Sequence, residues 1–247
     1  MIFNTVITSF ALMAGLVAAA PTAASTNATA AAANNVSFLK FGQPTVNVVN
    51  KCSSTLKVGN SIDVDYFGDI VDVPAGSTHT YTLPVNWSGR IWGRINCGGE
   101  NCFKSGMGSP ASLAEFHFLD SGSVYYDISL VDGFNLPMTV APVMKGGLTS
   151  ADSRHCATSA CSTLPSCPSG FETYDAQGKV SGCKSACTKF NTDEYCCTGD
   201  FYNPNVCSTN AYASEVKAVC PDVYTYAFDD ATSVFICTSN EYTVTFC

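Results

Sequence analysis

Cys156-x4-Cys161-x5-Cys167-x15-Cys183-x3-Cys187-x8-Cys196-Cys197-x9-Cys207-x12-Cys220-x16-Cys237-x9-Cys247 is the stretch on which the reading of this chain turns. With Cys52, Cys97 and Cys102 it completes a set of 14 cysteines, an even number that reads as seven disulfides formed in an oxidising compartment. Zinc is the competing use of such residues. It wants four closely placed Cys or His ligands. No Cys-x-x-Cys pair occurs, and His79, His117 and His155 stand far from any finger pattern, so no metal and no cofactor is expected. The same histidines have no visible partner set and are assigned no chemistry.

Outward from this stretch the texture of the sequence changes. Between Cys156 and Cys220 apolar burial is too sparse to hold a fold without staples, which predicts a loop-rich lobe. Short helices are expected at about 184–191 and 211–219, where helix formers carry spaced apolar residues. Before the lobe, period-two alternation runs through Thr45–Asn50, Thr55–Val58, Ser61–Tyr66 and Ile70–Val73, punctuated by turn residues such as Gly59-Asn60 and Phe67-Gly68-Asp69. Further strands are read at His79–Leu83, Gly89–Arg94, Ala114–Leu119, Ser123–Leu130 and Pro137–Ala141. After the lobe the pattern returns at Val223–Tyr226, Val234–Ile236 and Tyr242–Phe246. Many short strands at this spacing predict a mainly β, antiparallel sandwich or barrel. A cysteine ending the last strand reads as a tether to an early one.

At the other end, the apolar run Val6–Ala20 closes on small residues and passes into an Ala/Thr/Ser/Asn stretch. Residues 1–34 are read as a secretory signal peptide and leader, not a membrane anchor, because a span needs about 20 apolar residues. The protein is therefore expected outside the cell or in the cell wall. Its net charge of −8, with only 12 Lys and Arg, argues against a nucleic-acid partner and against docking on anionic lipid. A monomer is expected, since no heptad pattern is present. Asn27, Asn35 and Asn86 open acceptor sequons for N-glycosylation.

The cysteine spacing resembles the framework of thaumatin-like proteins. Four further stretches carry the resemblance: Gly89-Arg-Ile-Trp-Gly-Arg-Ile-Asn-Cys97, Ser112-Leu-Ala-Glu-Phe116, Tyr126-Asp-Ile-Ser129 running into Asp132-Gly-Phe-Asn-Leu-Pro-Met138, and Cys220-Pro-Asp-Val-Tyr-Thr-Tyr226. It extends over roughly residues 44–247. What it implies is a central sandwich built from 35–96, 114–160 and 221–247, a disulfide-rich lobe at 161–220, and a cleft between them. The family's third domain shrinks here to a loop at 97–113. The pairing it implies is Cys52–Cys247, Cys156–Cys237, Cys161–Cys220, Cys167–Cys183, Cys187–Cys196 and Cys197–Cys207, which leaves Cys97 with Cys102.

The resemblance also implies an acidic set in the cleft. Glu115, Asp127 and Asp132 match three of its members, the fifth falls on Asp229 or Asp230, and its arginine is Arg90 in preference to Arg94. Glycosidic cleavage needs one carboxyl to protonate the leaving oxygen and a second to act as nucleophile or base. Crowded carboxylates raise one another's pKa and so keep one protonated. Glu115 is the expected acid and Asp132 its partner, with Arg90, Asp127, Asp229 and Asp230 binding substrate. Blander readings stand beside these: Asp127 capping turn amides, the arginines solvated beside Trp92, and Tyr125, Tyr126, Tyr224 and Tyr226 serving as core rather than as sugar platforms. The function expected from the resemblance is action on or binding of β-1,3-glucan through the acidic cleft, as a weak endo-β-1,3-glucanase. The alternatives are a non-catalytic glucan-binding or antifungal module and an enzyme inhibitor.

Overall fold

Alternating burial along Thr45–Asn50 and Glu241–Phe246 shows how the core is made, since every second side chain of both strands is buried and its neighbour is not. The computed structural model describes residues 42–62, 70–98, 102–106, 109–144 and 154–247. The signal peptide and leader, Asn27 and Asn35, and the Asp63–Tyr66 part of an expected strand lie outside them.

Two large sheets pack face to face. The first has the order β10 (Ser159–Cys161), β9 (Met138–Pro142), β14 (Glu241–Phe246), β1 (Thr45–Asn50) and β4 (Thr78–Thr82). The second has the order β13 (Phe235–Cys237), β7 (Val124–Ser129), β6 (Leu113–Phe118), β5 (Ser88–Ile95), β2 (Leu56–Ser61) and β3 (Ile70–Val73). Val46, Val48, Val140, Val244 and Phe246 of one meet Leu56, Val58, Ile91, Phe116 and Ile128 of the other in a single core. Tyr242 sits at its centre, with ring centroids 5.2 Å from Phe116 and 5.1 Å from Tyr126. The pairing is antiparallel except between β1 and β14, which run parallel and are bonded at their shared end by Cys52–Cys247.

The lobe hangs from a third sheet, β11 (Glu172–Tyr174), β12 (Val180–Lys184) and β8 (Gly133–Phe134), so its inner strand belongs to the chain leaving β7. Four short helices follow, α1 (Ala186–Phe190), α2 (Asp193–Cys196), α3 (Ala211–Val219) and α4 (Asp230–Ser233). Ser185 caps α1 by accepting from the Thr188 amide, and Asn210 caps α3 by accepting from Ala213. Seven disulfides are present: Cys52–Cys247, Cys97–Cys102, Cys156–Cys237, Cys161–Cys220, Cys167–Cys183, Cys187–Cys196 and Cys197–Cys207.

Two local expectations are corrected. Gly59-Asn60 is no turn, because β2 runs straight through it. Gly59 lies opposite Trp92 in β5, and a Cβ there would stand 2.5 Å from the indole ring, so the glycine makes room for Trp92. Val223–Tyr226 is no strand either and makes only a single bridge, Tyr224 to Ser129. The Asp229 carboxylate takes the Thr225 amide that a neighbouring strand would otherwise use.

Candidate functional site

The sheet register places the chemistry. Arg90 of β5 pairs with Glu115 of β6, and Glu115 pairs with Asp127 of β7, so the three side chains form one row across the outer face of the second sheet. The face is graded along the strands. On one side of the row, Trp92 and Leu113 are fully buried in a small cluster of their own with Ala111. On the other side, Ser88 and His117 are exposed and Tyr125 is half-buried.

Arg94 explains the covered end. Its guanidinium donates to the carbonyls of Pro110 at 3.0 Å, Lys104 at 2.8 Å and Ser109 at 2.5 Å, folding the short loop down over Trp92. Arg94 is thus engaged by the loop. Arg90 is the arginine in the row, with Nε 3.5 Å from Glu115 Oε1.

Two carboxyl groups join from outside the row. Asp132 lies in the turn between β7 and β8, where its carbonyl accepts from Thr188 Oγ1 of α1 at 2.7 Å, so the lobe fixes its position. Burial first, and then the Glu115 charge, push its carboxyl up to about 6 against the opposing pull of Arg90. Asp127 is raised well above the ordinary carboxylate range, by burial first and then by Glu115 and Asp230. Its Oδ1 is buried and accepts no hydrogen bond. Asp230 is exposed at the start of α4 and accepts from Tyr224 Oη at 3.1 Å. Tyr224 is itself raised by burial and then by Asp127 and Asp230.

Asp229 is not in this set. Its carboxylate accepts from Lys217 Nζ at 3.0 Å, the Thr225 amide at 3.1 Å, Thr225 Oγ1 at 3.0 Å and Thr232 Oγ1 at 2.7 Å. Both of its oxygens are engaged by the protein itself, whereas Asp230 is exposed. Lys217 also donates to Ser233 Oγ and the Val223 carbonyl, which binds α3 to the segment carrying Tyr224 and Asp230. Lys217→Met should therefore cost about 3 kcal/mol, the low end for breaking a largely buried pair, because Asp229 would stay charged without its cation. Urea unfolding with the disulfides oxidised would measure it. An unchanged midpoint would mean that the amide and hydroxyl donors suffice.

Sequence reading missed Tyr224 as a hydroxyl donor, along with Thr188 and Lys217. Tyr224 stood in a quoted motif, but nothing local marks Thr188 or Lys217, whose roles depend on partners 56 and 12 residues away. Tyr126 is core, with its hydroxyl on the Ala157 carbonyl. His79 packs edge-on against Tyr81. Two pockets lie on the lobe side, and Glu115, Asp127, Asp132 and Asp230 line neither. Among the described residues no three His, Cys, Asp or Glu side chains gather to hold a metal, and no helix is long and apolar enough to cross a membrane.

A model of the thaumatin family matches residues 50–247. The pathogenesis-related thaumatin-like protein 3.5 of Cryptomeria japonica is 39% identical over 230 residues, covering 84% of this chain and 91% of that protein. A protein of Prunus avium named glucan endo-1,3-beta-glucosidase is 37% identical over 183 residues, covering 66% of this chain and 73% of its own. Among solved structures, a laminaripentaose-producing beta-1,3-glucanase in complex with laminaritetraose superposes with a TM-score of 0.55 at 12% identity, covering 83% of this chain and 98% of that one. That last likeness is one of fold.

Proposed function

This chain belongs to the thaumatin family, and on that premise we propose that it is a secreted protein that binds β-1,3-glucan over the Arg90–Glu115–Asp127 row and cleaves it. The row, with Asp132 held beside it by the lobe, is the observation that carries the reading. A glycosidase needs carboxyl groups in two protonation states side by side. Asp132, partly exposed and holding its proton up to about pH 6, is the better proton donor. Glu115, facing Arg90, takes the part of the carboxylate that attacks or activates water. This reverses the roles expected from the sequence. Asp230 and Tyr224 would accept and donate hydrogen bonds to sugar hydroxyls. The name of the Prunus avium relative supports the substrate class. Secretion is supported by the seven disulfides and by the leader.

A second reading is a non-catalytic glucan-binding module of defence type. It is favoured by Asp127, whose Oδ1 is buried and without a hydrogen-bond partner, so that this carboxyl is poorly placed to take part in cleavage. One experiment separates the two: release of reducing ends from a linear β-1,3-glucan, run beside a pull-down on the insoluble polymer. Release with retention supports the enzyme, and retention alone supports the module. Neither would sink the glucan assignment altogether except the absence of both.

A further inference from the structure

The register that builds the acidic row builds a second row beside it. Ser88 pairs with His117, His117 with Tyr125, and Tyr125 with Ile236 of β13. Because side chains alternate between faces, Ser88, His117 and Tyr125 share the outer face with Arg90, Glu115 and Asp127. They stand one step along it, about 6.5 Å away at two residues per step. Here the face is open: Ser88 and His117 are exposed, and Tyr125 and Ile236 are half-buried. At the opposite end the loop anchored by Arg94 covers the face. A polymer lying along the strands over Glu115 can therefore extend in this direction only.

The geometry points to a second sugar subsite at Ser88, His117 and Tyr125, taking the next pyranose of the glucan beyond the acidic row. This inference rests on the glucan reading above. A pyranose has one apolar face and an equatorial belt of hydroxyls. The phenol ring of Tyr125, continued by Ile236, offers a surface for the apolar face. The imidazole of His117 and the hydroxyl of Ser88 offer donors and acceptors to the belt. No carboxyl group belongs to this row. It should therefore contribute to holding the chain and not to breaking it, and it should act only on oligomers long enough to reach it.

The test is calorimetric titration with the β-1,3-linked disaccharide and hexasaccharide of glucose. Tyr125→Ala should bind the hexasaccharide roughly 5- to 10-fold more weakly than the parent, with the disaccharide unchanged. Tyr125→Phe, which keeps the ring, should bind like the parent. His117→Ala, a change at an exposed position, should weaken the hexasaccharide about 3-fold and again spare the disaccharide. Equal losses for both lengths, or no loss for either, would overturn the subsite while the glucan reading stands. A parent that binds neither oligosaccharide would overturn both.

Discussion

Asp132→Asn should lower the release of reducing ends from β-1,3-glucan by about 10²–10⁴-fold while polymer retention stays close to that of the parent. Asparagine keeps the shape and the hydrogen bonding of the carboxyl but carries no acidic proton. The pH profile sharpens the test. A proton donor with a pKa of about 6 is fully loaded below that value and empties as pH rises through it, so parental activity should fall on the alkaline side near pH 6. The residual activity of Asp132→Asn should lack that falling limb. Glu115→Gln should strike the same step, and the double variant should lose less than the product of the two, since groups serving one reaction act as a unit. An Asp132→Asn protein that folds and cleaves like its parent would remove Asp132 as the donor. If the parent retains polymer and releases nothing, a weakening of retention by Glu115→Gln would mark the carboxylates as sugar acceptors only.

Gly133→Ala is expected to be among the most damaging single methyl additions at the described glycines. Gly133 has φ +121°, and a Cβ there would stand 2.2 Å from the Cys183 carbonyl oxygen and 2.8 Å from Pro110 Cβ. The obstruction is backbone on the facing strand and cannot swing aside. Left-handed strain and the clash together should cost about 3–4 kcal/mol, read as a shift of the urea midpoint with the disulfides oxidised. Glucan cleavage should fall as well, because Asp132 precedes the glycine and would move with it. An unchanged midpoint would mean that β8 and β12 separate without penalty, and the lobe would then not be the anchor of Asp132.

What the sequence made legible follows from what was written locally. The cysteine spacing led to seven disulfides, and period-two burial led to a mainly β fold, because both signals sit in neighbouring residues. Arg90, Glu115, Asp127 and Asp132 were named from motifs, and the structure brings them together on and beside one row. What the sequence left unread depended on distant partners. Nothing near Asp229 and Asp230 tells which carboxylate Lys217 will hold, since that lysine comes from α3. Gly59-Asn60 read as a turn because the indole that needs the space is 33 residues further on, at Trp92. Nor do the neighbours of Asp132 reveal the burial that raises its carboxyl pKa.

The parallel pairing of β1 with β14 sets the order in which the molecule can be made. β14 lies between β1 and β9, so the first sheet stays split until Glu241–Phe246 has been made. Strands β5, β6 and β7 are consecutive and can pair long before that. The Arg90–Glu115–Asp127 row can thus be laid down early in synthesis, while Tyr224 and Asp230 arrive about 100 residues later. Until then the inner face of the second sheet, with Phe116, Phe118 and Tyr126, has no Tyr242 to cover it. The Cys52–Cys247 bond, 195 residues apart in sequence, cannot form until that late pairing brings its two ends together. Without β14 the first sheet would fall into two pieces and the core would lose Tyr242 and Phe246 together.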